Sequence, residues 1–469
     1  MKKVLAGGAV ALVGLWVAGV IFFGQAAAIK VDEQIAQLNR DLANRSFPVA
    51  VNKLSYVTGF LSGAARIQVM IEPEDKPPIL LEADLDIHHG PVVFSPNGPK
   101  LGAYYIGFTP DIEAALSERE NIDEILGGFG DRDPLTGGVL IDFGGGQTVD
   151  LALAPFELSK DGDLVVLENG IAGTFRTDDQ FSTLAGSISF GAVSIEDASD
   201  AATIDIAAST MTMDITEMYA GNMLTGELSY KLDSAMIKAD GARHRIEDVS
   251  MYGFSGKNDS GIYGNVDIVM GSIASSDESF KSIFNGPLTA RLDVDYEGLE
   301  ERAIRQYADI NQRINQGFYS ALLQGDEVSG LGELSERDLR TYVLAVVGLI
   351  RQGFTFNYGI SVAQGEANTG FNLNLGWVDS QALIHKKTLR DALAGIQANL
   401  KVGIDKVFLS GNEQLMQMPV GMGYAVETPA GIESEAQFNR GELLLNGQAI
   451  PYAKMLGGAL DRELPWRAW

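Results

Sequence analysis

The chain has four histidines, at positions 88, 89, 244 and 385, and two of them are adjacent. Neutral imidazole ligates metals and moves protons near neutral pH, so His88 and His89 are the first residues to weigh for chemistry. They end the alternating segment from Ile79 to Ile87, and Gly90-Pro91 then imposes a turn. Adjacent side chains on a strand point to opposite faces, so both rings could not grip one ion. The pair therefore reads as a strand end and turn held by packing.

Asp131-Arg132-Asp133 and Asp161-Gly162-Asp163 offer the oxygen ligands that calcium takes. Neither continues into the full loop pattern with its distal glutamate, and both read as turns with solvated acids. Gly144-Gly145-Gly146 lacks the Lys-Ser/Thr of a phosphate loop, and Asp142-Phe143-Gly144 has no accompanying kinase elements. A bend between two strands accounts for both. Gly253-Phe254-Ser255-Gly256 misses the spacing of a nucleophile elbow. With 62 acidic residues, abundance alone cannot nominate a carboxylate pair for glycoside cleavage. No catalytic residue, metal or cofactor is expected.

Composition bounds the partners. The formal charge is −27, and the acids are spread along the chain, so phosphate backbones are repelled and no nucleic-acid partner is expected. Cysteine is absent, which excludes disulfides, thiol nucleophiles and thiolate metal sites. A hydrophobic fraction of 46% with 21% charged residues is that of a chain that buries a core.

The elements that would position any site begin with an uncharged run, Val4 to Phe23, that contains Trp16, Phe22 and Phe23. As a helix, roughly 20 residues match the hydrocarbon thickness of a bilayer. Lys2 and Lys3 precede it, and the positive-inside rule puts that tip in the cytoplasm and the body outside. A cleaved signal peptide is the competing reading, since Ala26-Ala27-Ala28 would suit a signal peptidase. Gly7 with Ala11 and Gly14 with Ala18 could let two such helices pack as a homodimer.

The sequence predicts an α+β, β-dominated fold class: a single N-terminal transmembrane helix, then an elongated, mainly antiparallel β-sheet body with a helical section and a C-terminal α/β portion. The expected limits are 1–24 for the cytoplasmic tip and anchor, 25–47 for a helical stalk, 48–297 for the β-rich body, 298–353 for the helical section and 354–469 for the C-terminal strands and helix. Alternation at Ile67 to Val69, Leu85 to Ile87, Thr203 to Ile206 and Met211 to Ile215 marks half-buried strands. Asp161-Gly162 and Asn169-Gly170 read as hairpin turns around one strand. Helices are expected over Pro110 to Leu126, from Leu299, from Ser335 to Gly353, and over Thr388 to Leu400. Two further hairpins are expected, across Gln364-Gly365-Glu366 and about Asn439-Arg440-Gly441.

The N-terminal run, Gly59-Phe60-Leu61-Ser62-Gly63 before an alternating strand, His89-Gly90-Pro91, and the closing Gly441 to Gly447 together carry a family likeness. With them the chain resembles the YdgA-like family of bacterial inner-membrane-anchored periplasmic proteins of unknown function. The resemblance implies a Gram-negative envelope protein, single-pass in the inner membrane with a periplasmic body, and transfers no catalytic residues; His89, Gly90 and Pro91 form a family-like motif of unknown role. The function expected is a non-enzymatic envelope scaffold or carrier that binds a partner protein or a hydrophobic ligand such as lipid. The alternative is a membrane-tethered hydrolase acting on an envelope polymer.

Overall fold

Side chains that alternate between apolar and polar dominate the chain, and they fold as a period of two requires, into antiparallel ladders. The structure, a computed structural model, describes residues 39, 49–58, 62–71, 79–89, 92–95, 98–112, 126–178, 182–199, 202–219, 222–284, 286–311, 336–409 and 413–468. Two compact units are present, one from Met1–Met218 with Asn311–Glu333 and one from Tyr219–Ile310 with Leu334–Trp469.

The strands that build the first unit are β1 (Val49–Thr58), β2 (Ser62–Ile71), β3 (Ile79–His89), β4 (Val92–Ser95), β5 (Gly98–Leu101), β6 (Tyr104–Asp111), β7 (Leu135–Ile141) and β8 (Gln147–Leu153). They continue as β9 (Phe156–Lys160), β10 (Asp163–Leu167), β11 (Ile171–Thr177), β12 (Leu184–Phe190), β13 (Val193–Asp197), β14 (Ala202–Ile206) and β15 (Ser209–Tyr219). One antiparallel ladder runs β1-β2-β3-β6-β7-β8-β11-β12-β15. A second runs β9-β10-β13-β14, while β4 and β5 form a separate hairpin.

Register shows that the shorter ladder continues the longer one across a shared break. β8, β11, β12 and β15 continue into β9, β10, β13 and β14, and each pair keeps its neighbours across the break. The breaks align as a crease through Ala154-Pro155, Asn169-Gly170, Gly191-Ala192 and Ala207-Ala208. Pro155 has no amide to give to a ladder, and Asn169 and Gly170 take positive φ of 60° and 65°. Backbones then meet closely, with the Glu168 amide donating to the Ala192 carbonyl at 2.8 Å and the Gly191 amide to the Gly170 carbonyl at 2.7 Å. Asn169-Gly170 is thus a crease and not the hairpin expected, because β10 and β11 pair with other strands. Asp161-Gly162 does close a hairpin, with Lys160 opposite Asp163.

The long ladder buries one face. Ile67, Val69, Leu81, Leu85, Ile106, Phe108, Leu151, Phe175 and Ile188 are sealed, with Val139 and Val149 at 0% and 1% exposure.

In the second unit the strands are β16 (Asn222–Ala239), β17 (Ala242–Asn258), β18 (Gly261–Ser275), β19 (Leu288–Leu299), β20 (Thr355–Gln364) and β21 (Ala367–Trp377). After them come β22 (Ile396–Asp405), β23 (Val426–Glu427), β24 (Gly431–Asn439), β25 (Glu442–Leu445) and β26 (Gln448–Ile450). The antiparallel order is β16-β17-β18-β19-β20-β21-β22-β24-β25-β26, with β23 beside the start of β24. Helices punctuate it: α1 (Glu278–Ile283), α2 (301–311), α3 (Glu336–Gly348), α4 (Leu389–Leu393), α5 (Lys406–Leu409) and α6 (Glu413–Gly421). The hairpins about Gly365-Glu366 and Arg440-Gly441 form as their sequences require.

The expected fold class is corrected to an antiparallel-sheet protein with few helices. Among the described residues no helix is long and apolar enough to cross a membrane. The run Val4 to Phe23, with Lys2, Lys3, Trp16, Phe22 and Phe23, lies outside the described residues, as does most of the expected stalk; within that stalk Asn39 is described, its side-chain amide exchanging two hydrogen bonds with the Val51 backbone at 2.7 and 2.8 Å. The C-terminal portion is strands with short helices, and the expected helix from Thr388 to Leu400 is only α4. A Thr388/Asp391 capping box starts it, and the chain is a strand again from Ile396. In the helical section, α2 and α3 are present but α3 stops at Gly348, short of Gly353. Pro110 and Asp111 belong to β6, and most of the helix expected up to Leu126 lies outside the described residues.

Candidate functional site

Strand periodicity gives the second unit one polar and one apolar face, and the apolar face is open in its middle. One cross-strand row runs Tyr230, Met251, Ile268, Leu292, Ile360, Phe371 and Val402. The next runs Leu228, Gly253, Val266, Val294, Tyr358, Leu373, Leu400 and Ala436. Apart from Gly253, every residue in both rows is half-buried or exposed, and Ile360 keeps 41% of its surface.

Among the described residues, the sealed side chains of this face lie at the strand ends. Ile262, Phe354 and Trp377 are buried at one end, where α2 and α3 join the sheet. Trp377 donates its indole N–H to the Gln381 carbonyl at 2.9 Å, and Lys386 lies 5.9 Å from the ring with Nζ 2.6 Å from Asp379 Oδ2. The Lys386 hydrogen bond holds the Asp379 carboxyl below its ordinary value, helped by the Gln381 amide. At the other end Leu288 is buried, and Ile432 joins Leu409 and Ala425 in a small core with Ile404 and Val420 against it. Phe280, Phe284 and Phe408 meet in tilted and edge-on contacts, with ring centroids 4.8 and 5.9 Å apart. Between the two cores lies a strip spanning eight strands, about 34 Å wide at ~4.8 Å per strand gap.

The opposite face is polar, with Asp267, Asp293, Gly359, Asn372, Lys401 and Glu435 in one row. Arg291 bonds both oxygens of Asp267 at 3.0 and 3.1 Å. Glu435 is held below the ordinary carboxylate range, first by the Gln437 side chain. Gly359, Gly370 and Gly403 floor a shallow depression of about 310 Å³, edged by Asp293, Asn372 and Lys401. Asp293 is its one carboxylate, so the two-carboxylate arrangement of a glycosidase is not made there.

A third cluster sits on the first unit. Tyr105 is 5% exposed and lies opposite His88, their rings 6.4 Å apart. Asp150 receives Lys100 at 3.3 Å and the Thr174 hydroxyl at 2.8 Å. Burial, followed by the charges of Asp150 and Asp86, pushes the Tyr105 hydroxyl up to about 12.

Of the motifs singled out from sequence, His89 is the last residue of β3, opposite Tyr104, and Gly90 and Pro91 lie outside the described residues. Asp142 Oδ1 accepts the Gly144 and Gly146 amides at 2.7 and 2.9 Å, which shapes the β7–β8 hairpin. Asp163 receives the Ala198 amide, and Ser255 is buried with its hydroxyl donating to the Leu224 carbonyl. Among the described residues no group of three or more His, Asp or Glu is placed to hold a metal. Sequence reasoning did not name the open strip, although the alternation in Phe356 to Val362 and Phe371 to Leu375 was its signal.

A family model described as a bacterial protein of unknown function, DUF945, matches residues 1–453. No curated protein and no solved structure matches the chain.

Proposed function

We propose that this chain, which belongs to the bacterial DUF945 family, is a cell-envelope protein that carries an apolar ligand, such as a lipid acyl chain, on the open strip of its second unit. The run behind Lys2 and Lys3 attaches it to the inner membrane and leaves the body in the periplasm. The observation that carries the reading is the strip itself: two adjacent rows, mostly of large apolar side chains, left half-buried or exposed between two sealed cores. Soluble monomers rarely leave a contiguous apolar patch beyond a few hundred Å², and larger ones mark binding surfaces. Acyl chains suit it because each is about half the roughly 30 Å hydrocarbon thickness of a bilayer and needs no polar partner. The polar face opposite keeps the carrier soluble.

A photo-crosslinking residue placed at Ile360 tests this in cells, with the same residue at Asn372 on the polar face as control. Lipid adducts identified by mass spectrometry at 360 and not at 372 are the expected result. Equal labelling at both positions, or protein adducts alone at 360, overturns acyl carriage.

A further inference from the structure

We infer that the turn following α6, at one end of the open strip, docks the second unit on a zwitterionic lipid surface. Over the thirteen residues from Gln414 to Val426 there is no charged side chain, in a chain of formal charge −27. Four large apolar side chains in or beside it are exposed: Met418 at 61%, Met422 at 60%, Tyr424 at 59% and Val426 at 51%.

The fold holds them there. Val420 turns inward onto Leu409, Ala425 and Ile432. Pro419 lies within α6, and its carbonyl accepts the amides of both Tyr424 and Ala425, at 2.8 and 3.2 Å. Gly423, at a φ of 77°, makes the turn between them. One side of the segment is therefore pinned to the sheet while Met418 and Met422 point away from it.

Chemistry selects the occupant. Four side chains fall far short of the roughly 20–30 residues a stable protein interface uses on each side. A small apolar wedge that ends in a tyrosine suits the boundary between headgroups and acyl chains. The strong negative charge of the chain opposes anionic lipid, so a neutral surface is the match. The same core that anchors Val420 closes the end of the strip, since Ile404 and Ile432 lie one row beyond Val402 and Ser434. For the passage of an acyl chain from bilayer to strip the inference rests on the carriage reading, whereas docking does not.

The absence of cysteine allows a single-site probe. The full chain carrying Met422→Cys, labelled with an environment-sensitive nitrobenzoxadiazole dye and reconstituted in phosphatidylcholine vesicles, is compared with Glu442→Cys at the far end of the sheet. The label at 422 is expected to brighten about twofold or more with lipid and to be quenched by lipid-borne nitroxide, while the label at 442 stays open to aqueous iodide. Added phosphatidylglycerol is expected to leave the signal unchanged or lower it. Docking is overturned if the 422 label remains as iodide-accessible as the control, or if it is shielded from iodide and nitroxide alike, which would mean that protein covers the turn. Crosslinking at Ile360 reports carriage separately, so loss of one signal with retention of the other shows which proposal fails.

Discussion

Tyr105 is the residue that His88 packs against. His88 faces it across β3 and β6, and its ring spreads over Gly107 and Gly138, where a methyl group on Gly138 would sit 2.3 Å from the tyrosine oxygen. His88 is thus a packing neighbour of a buried phenol; its place at a strand end suggested packing but not the partner. The phenol has its own consequence. Its ordinary value is 10.0 and the fold raises it to about 12, so above pH 10 the unfolded chain releases a proton that the folded chain retains. Stability present below pH 10 is therefore lost as pH rises towards 12, by about 2–3 kcal/mol. Urea midpoints of the wild type and Tyr105→Phe, at pH 9 and pH 11.5, measure it. The wild type should lose more than the variant, and parallel losses would show that Tyr105 carries no such linkage.

At the scale of the element, the crease through β8 to β15 depends on glycines that local pattern does not single out. A Cβ on Gly191 would lie 1.5 Å from the Glu168 carbonyl oxygen, and on Gly170 2.1 Å from that of Leu153. Gly403, in β22, meets nothing within 4 Å. Gly191→Ala should cost about 3 kcal/mol or more by forcing the crease open, while Gly403→Ala should stay within ~1 kcal/mol. Equal urea midpoints for the two variants would remove the crease as a determinant of the first unit. These positions also show where legibility ends. Two-residue turns such as Arg440-Gly441 and Asp161-Gly162 are local, so sequence placed them. The crease is set by backbones that meet from distant strands, so Asn169-Gly170 was read as a simple hairpin. From Thr388 to Leu400 both periods fit: Leu389, Leu393, Ile396 and Leu400 suit a helix, while Ile396, Ala398, Leu400 and Val402 suit a strand. The helix ends at Leu393, the chain passes close under the Trp377 ring at Gly395, where a Cβ would meet it at 2.7 Å, and β22 begins at Ile396.

Across the whole molecule, the alternation in β7 and β8 looks the same as that in β19 to β22, yet the first unit seals its apolar face and the second leaves a strip open. Sequence made both faces legible, but whether anything covers a face depends on elements far along the chain. Ile188 and Ile360 make the comparison direct, at 6% and 41% exposure on apolar faces of the two units. In delipidated protein, Ile188→Ala should cost about 2–5 kcal/mol through lost transfer and cavity. Ile360→Ala should cost under about 1 kcal/mol, because water already reaches the side chain. Ligand that binds only the folded strip adds stability by mass action, so lipid loading should raise the wild-type urea midpoint and raise that of Ile360→Ala less. If Ile360→Ala costs as much as Ile188→Ala without lipid, the strip is closed in solution and cannot receive an acyl chain.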